Sequence, residues 1–379
     1  MLLVQEAHNA NLDFKLVLAA NDHLIEVNSN SESVQCIILP EIPHRQNNTK
    51  EKVPDSNNEC KNIVSIQSSR NNEYIAVTTE NKQLIVFDQN FRPVKNIMLS
   101  RVSNKVCFSK NNDLLVADRT GDVYLYKIKQ EETDPDLLLG HLSVILDMII
   151  TPCGKYIITC DRDEKIRVSH YPNTYNIATY CLGHTEFVSS LRLLSSNHIL
   201  LSGSGDGTVR IWNFLTGKQL ALINTNNLID QMVIEKFVSK MDLEKIEVTV
   251  VPVTDIQVGE RENEILLTVT LYNVNKLFLY HINRDNYDYK HYQTIEIEST
   301  VFYCNLNSRL YILAHKLLVY EFLEGQYIKS NLDLHKMNEN LLQFNNSLLH
   351  ENDIALWYKR KYDNVQEYME RKKLRLEAK

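Results

Sequence analysis

Two histidine–aspartate pairs are the first residues in this chain that could do chemistry. His141 precedes Asp163 by 22 residues, and His184 precedes Asp206 by the same 22. An imidazole beside a carboxylate can activate a nucleophile or contribute to a metal site. Both histidines follow a glycine, Gly140 and Gly183, and the two Gly-His pairs stand 43 residues apart. Four residues before each aspartate comes a hydroxyl, Thr159 or Ser202. Six residues after Asp206 comes Trp212, where the other copy has Ser169. A whole set of polar residues that recurs at one period reads as a structural hydrogen-bond network, which fixes a tight turn in one geometry. The predicted network is therefore His184, Ser202, Asp206 and Trp212 in one copy. The other, incomplete copy is His141, Thr159 and Asp163.

Other motifs yield no reactive site. GSGDG (203–207) looks like a phosphate or calcium loop. A phosphate loop needs a helix after it, whereas TVRIW reads as a strand. A calcium loop needs several further oxygen ligands. H-E-x-x-H, G-x-S-x-G and Walker sequences are absent. No catalytic residue, metal ligand or cofactor site is assigned to this chain.

The elements that must position these residues are short strands. The segments around IITCDRDEKIRVSHY and LLSGSGDGTVRIWNF align without gaps, and their 43-residue period matches a WD-repeat blade of four strands. Weaker copies lie at 74–90, 114–128, 265–282 and 310–322, with Phe87, Tyr126, Tyr280 and Tyr320 at the tryptophan position. Each joins β-rich runs through Asn/Asp/Gly turns. Fragments at 14–28 and 341–358 each look like part of a blade. Pairing them predicts a seventh blade that closes the ring and hides its sheet edges. The fold expected is all-β, a seven-bladed propeller over 1–358. A short basic amphipathic helix is expected over 359–379, where Tyr358, Tyr362, Val365 and Met369 share one face. Two polar insertions interrupt the pattern, at 41–61 and 225–246, the second with a possible helical turn.

A 379-residue chain would ordinarily divide into two or three domains, but a closed ring of repeats uses the whole length. Seven cysteines, an odd number without a C-x-x-C pair, fit buried free thiols in a reducing compartment. The opening Met1-Leu2-Leu3-Val4 is too short and too soon acidic for a signal peptide, and no apolar run approaches a membrane span. A soluble, intracellular protein is expected. Net charge is −7, yet residues 359–379 carry +4 and leave −11 on the body. An acidic protein does not bind nucleic acid by bulk charge, but here body and tail differ in sign.

Two charged segments have more than one reading. DRDEKIR (161–167) is either a solvated turn or a rigid charged rim suited to docking. The basic tail is a solvated helix, an RNA-phosphate contact through Arg360, Lys361, Arg371, Lys372 and Lys373, or an import signal at 371–373. A general interaction scaffold, such as a substrate receptor of a ubiquitin ligase, is the rival class. Such receptors often carry Trp-Asp-x-Arg after a blade, where this chain has Trp212-Asn213-Phe214-Leu215.

The stretch from LLGHLSVILDM through DRDEKIRVS and LGHTEFVSS to LLSGSGDGTVRIW, with Tyr362-Asp363-Asn364-Val365-Gln366-Glu367-Tyr368 in the tail, closely resembles one WD-repeat family. That family is the non-catalytic subunit of tRNA (guanine-N(7)-)-methyltransferase. The dense match covers about 75 residues, 139–213, plus the tail. The resemblance implies a heterodimer with an S-adenosylmethionine-dependent methyltransferase, which modifies a guanine in the variable loop of tRNA. The propeller would stabilise that subunit and assist tRNA binding. The cofactor would sit on the partner, tRNA would be met mainly through the complex, and the location would be the nucleus, with a cytoplasmic share. The family's docking turn maps onto Glu164, Lys165 and Arg167, with Glu186 close by on the next blade.

Overall fold

A computed structural model of the chain describes residues 2–6, 14–42, 62–130, 134–195, 198–297, 302–306, 309–313, 316–342, 354–359 and 373. Its strands are four to eight residues long and form seven separate four-stranded antiparallel sheets. Each sheet is a blade in which strands pair in chain order. The blades span 2–38, 63–98, 103–140, 145–181, 188–224, 253–296 and 302–329, numbered here 1 to 7. Chain-order pairing follows from the sequence, because each β-rich run meets the next through a turn too short to reach elsewhere. The first strand of every blade lies against the first strands of both neighbours, so these seven strands line the centre of the ring.

Between the sheets, apolar side chains from facing strands interlock into clusters. Of the residues expected at the tryptophan position, Phe87, Tyr126 and Tyr280 are buried, and Tyr320 is only partly so.

Ring closure differs from the expectation. Blade 1 is complete within the N-terminal segment, because Leu2–Glu6 pairs with Phe14–Ala20 as its innermost strand. Among the described residues no C-terminal strand enters it. The seam with blade 7 (Phe302–Leu306 to Gln326–Lys329) is instead covered by a helix, α2, His335–Leu342. Met337 and Leu341 are buried there among Phe14, Leu16 and Leu18 of blade 1 and Tyr311, Leu317 and Val319 of blade 7. Asn338 completes the latch: its Nδ2 donates to the Leu317 carbonyl (3.2 Å), and its Oδ1 accepts from the Leu317 amide (2.7 Å). The described part of 341–358 is thus the end of a helix and a 3-10 turn, Ile354–Leu356, and not a strand.

The insertion after blade 5 forms a helix, α1, Gln231–Leu243, with Phe237 and Met241 buried against blades 5 and 6. Asn226 ties its base to Val251 through two hydrogen bonds, of 2.9 and 2.8 Å. Most of the 41–61 insertion lies outside the described residues. So does the predicted terminal helix, apart from Lys359, which is described and not helical, and Lys373, which is helical and exposed. The five described cysteines are free: Cys107, Cys160 and Cys181 are buried, Cys36 and Cys153 exposed. No helix among the described residues is long and apolar enough to cross a membrane.

Inside the ring runs a chain of charges. Asp147, on the first strand of blade 4, is buried between Lys105 of blade 3 (2.8 Å) and Arg192 of blade 5 (3.5 Å). Arg192 reaches on to Asp255 of blade 6 (2.8 Å). The Asp147 carboxylate also accepts the backbone amides of Met148 (2.8 Å) and Leu191 (2.9 Å). Burial raises its pKa, but the two cations and these hydrogen bonds outweigh burial and hold it below the usual carboxylate range.

Candidate partner-docking face of blades 4 and 5

In blade 5 the predicted network is complete and has a direction. Trp212 Nε1 donates to Ser202 Oγ (2.8 Å), Ser202 Oγ donates to His184 Nε2 (2.8 Å), and His184 Nδ1 donates to Asp206 Oδ2 (2.9 Å). Asp206 Oδ1 accepts from Thr208 (2.6 Å) and holds the turn. Burial raises the Asp206 carboxyl, yet the hydrogen bonds from His184, Thr208 and the Thr185 amide prevail and set it at about 2. His184 is lowered by burial, which keeps the ring neutral.

Both shifts have the same sign for stability. Each group binds its proton more weakly when folded, so the stabilisation is full above the unfolded values. It is lost as pH falls through 6.5 for His184 and from 3.8 towards 2 for Asp206. Replacing Asp206 with Ala should cost about 1–3 kcal/mol, because His184 would be left buried without its acceptor. A thermal melt that superimposes on wild type would show that the network does not bear load.

Blade 4 corrects one assignment. His141 Nε2 accepts from Thr159 Oγ1 (2.8 Å) as expected, but His141 Nδ1 donates to Asp161 (2.8 Å), not to Asp163. Asp161 ends its strand, and its second oxygen accepts the amides of Asp163 (2.9 Å) and Lys165 (3.1 Å). Two aspartates stand two residues apart, and the one on the strand reaches the ring first. A sequence signal for this exists in blade 3, where Asp118 ends the matching strand and accepts Thr120 and Asp122. Ser169, in the tryptophan position, is buried, and its hydroxyl has no partner among the described residues.

Asp163 is thereby released to the rim. Glu164 follows it at φ +71°, a left-handed conformation that Gly207 (φ +72°) supplies in blade 5. For a residue with a Cβ that conformation costs about 1 kcal/mol. Lys82 takes the same conformation in the matching turn of blade 2 (φ +69°), so it belongs to the turn. Lys165 is exposed.

Arg167 behaves differently from its neighbours. Its guanidinium is half-buried, donates to the Gly140 carbonyl (3.0 Å) and hydrogen-bonds Tyr180. Burial lowers its pKa, opposed by Tyr180 and Asp161. Arg210 is its counterpart in blade 5 and pairs with Asp206 (3.7 Å) and Gln219 (2.7 Å). Arg167 therefore holds the loop that enters blade 4.

Flanking this turn, Leu142 is wholly exposed next to His141, and Leu182 is exposed just beyond Cys181, which pairs with Ile166. Glu186 lies near the Tyr358 hydroxyl, whose pKa it raises together with the larger effect of burial. The C-terminal segment comes over this face. Ile354 and Tyr358 are buried, and Trp357 and Tyr358 meet Phe187 edge-on at 5.3 and 4.9 Å. The Tyr358 hydroxyl donates to the Gly205 carbonyl (3.4 Å). A side chain at Gly205 would sit 2.5 Å from the Phe187 ring, so glycine is needed for the aromatic stack. Lys359 then reaches Glu164 (2.7 Å) and Asp163 (3.6 Å). No local pattern pointed to this pairing, nearly 200 residues apart. Of the tail cations named for RNA, Arg360, Lys361, Arg371 and Lys372 lie outside the described residues.

Comparison with known proteins identifies the family of the chain. A family profile described as "tRNA methyltransferase TRM82 WD40 domain" matches residues 22–136 and 126–319. The tRNA (guanine-N(7)-)-methyltransferase non-catalytic subunit wuho of Drosophila mojavensis is 34% identical over 83% of this chain and 81% of its own length. That of Drosophila grimshawi is 33% identical over 90% of this chain and 87% of its own length. Among solved structures, a chain of the mitotic checkpoint complex matches 83% of this chain and 85% of its own length. Its TM-score is 0.60 at 13% identity. The Cps50 (Swd1) β-propeller domain of Myceliophteria thermophila matches 83% of this chain and 91% of its own, with a TM-score of 0.57 at 12% identity. These two share the fold alone. Sequence, repeat layout and relatives agree that the chain belongs to the TRM82 WD40 family of non-catalytic subunits of tRNA (guanine-N(7)-)-methyltransferase.

Proposed function

We propose that this propeller docks through the blade 4 rim onto an S-adenosylmethionine-dependent methyltransferase, forming a heterodimer that methylates N7 of a guanine in the tRNA variable loop. The cofactor and the chemistry belong to the partner. The propeller stabilises that subunit and assists tRNA binding, with the basic tail as the RNA-phosphate contact. The nucleus, with a cytoplasmic share, is the expected location. What supports this reading is the name its relatives carry, together with a charged turn flanked by the exposed Leu142 and Leu182. Exposed apolar side chains beside a rigid charged turn suit an interface with a few anchoring contacts and electrostatic steering.

Lys165 is the cation to test. Arg167 holds the Gly140 loop, so reversing its charge should lower the melting temperature as well as binding. Lys165→Glu should leave the melt unchanged and weaken affinity for the purified methyltransferase about tenfold or more, most steeply at low salt. Unaltered affinity would take this turn out of the interface.

A further inference from the structure

The contact between Lys359 and the blade 4 turn lies outside both the structural network and the family assignment. Its ammonium sits between Glu164 (2.7 Å) and Asp163 (3.6 Å), with its own side chain 46% exposed. The two carboxylates raise its pKa and outweigh burial, which acts the other way. An ion pair this exposed does little for folding, because water and salt screen it. Yet the segment that carries it is firmly anchored. Ile354 and Tyr358 are buried, two rings meet Phe187 edge-on, and Tyr358 reaches the Gly205 carbonyl. Such an anchored strap with a weakly stabilising tip suggests that the tip serves something other than the fold.

We propose that the strap 354–359 completes the docking face, with Lys359 as a built-in counter-ion for Asp163 and Glu164. This inference rests on the blade 4 rim being the docking site. A protein partner that covers the rim must remove water from whatever charges lie there. Two neighbouring carboxylates without a cation would be costly to bury. With Lys359 in place the three side chains carry a net charge of −1 rather than −2. The face then presents the exposed Leu142, Leu182 and Leu356 together with the exposed cation Lys165. It fits a partner surface that is mainly apolar and carries a carboxylate opposite Lys165. The alternative role, in which the strap shields the rim and must be displaced, predicts the opposite effect of removing Lys359.

The test compares four full-length variants, measuring the melt of each and its affinity for the purified catalytic methyltransferase subunit. Lys359→Ala should leave the melt within error of wild type and weaken binding about tenfold or more, as removal of one member of a desolvated charge pair does. Lys359→Glu should weaken it further. Adding Glu164→Lys to Lys359→Glu should recover most of the loss, because the pair is rebuilt with its charges exchanged. Binding that is unchanged or tighter for Lys359→Ala overturns the counter-ion role, and so does failure of the exchanged pair to recover affinity. Lys165→Glu, the fourth variant, separates the two readings. If it loses affinity while Lys359→Ala does not, the rim is the interface and the counter-ion role alone fails. If neither loses affinity, the rim itself is elsewhere than the interface.

Discussion

Asp147→Ala should destabilise the propeller by about 3–5 kcal/mol, the largest effect expected of any single change outside the apolar core. The aspartate is the only anion between Lys105 and Arg192 in the described contacts, and it holds the Leu191 amide. Its removal leaves two inward cations facing each other and a buried amide without an acceptor. Asp147→Asn keeps an acceptor but not the charge, and should fall between the variant and wild type. Acid provides an independent check. The carboxyl is held below its ordinary value, so its stabilisation is present above the normal carboxylate range and fades as pH falls through the depressed one. The melting temperature of wild type should therefore drop more steeply in acid than that of Asp147→Ala. Parallel acid profiles would mean that Asp147 is not ionised in the fold, and equal melts at neutral pH would mean that the charge chain carries no stability.

Leu341→Ala should cost about 2–5 kcal/mol, and the loss should be felt first at one seam. Leu341 is fully buried between blades 1 and 7, and the helix that carries it is the described link from blade 7 back across blade 1. Hydrogen exchange is the sensitive readout, since regions of a fold open with different free energies. Protection should fall in Phe14–Ala20 and Leu317–Leu323, while Ile199–Ser204 in blade 5 stays protected. Protection lost evenly around the ring, or not at all, would show that the helix does not close it.

How far the sequence revealed this molecule depends on which interactions are local. His184, Ser202, Asp206 and Trp212 were legible because one turn with one geometry demands those four residue types at fixed spacing. The choice between Asp161 and Asp163 was not, because both lie within reach of His141 and only the path of the strand decides. The seventh blade illustrates the same limit. Leu2–Glu6 and the segment after 341 are both apolar enough to enter a sheet, and local pattern does not say which one meets Phe14–Ala20. Lys359 was visible as a basic residue, but its carboxylate partners are brought to it only by the finished ring. The family reading does not depend on that choice, because it rests on the match along the chain and not on which aspartate serves the histidine.

Because every strand pairs with its neighbour in sequence, the order in which this chain leaves the ribosome has a direct bearing on how it folds. Each sheet has all four of its strands as soon as its last one is synthesised, and no hydrogen-bonded strand edge must wait for the distant end of the chain. Pairing at short sequence separation keeps loop-closure cost low and favours rapid formation. Domains emerging at the ribosome's pace can then settle one after another. The long-range step is left to side chains: blade 7 against blade 1, with α2 sealing the join after some 330 residues have already been made. A nascent chain halted before His335 would hold seven formed sheets and an unsealed ring.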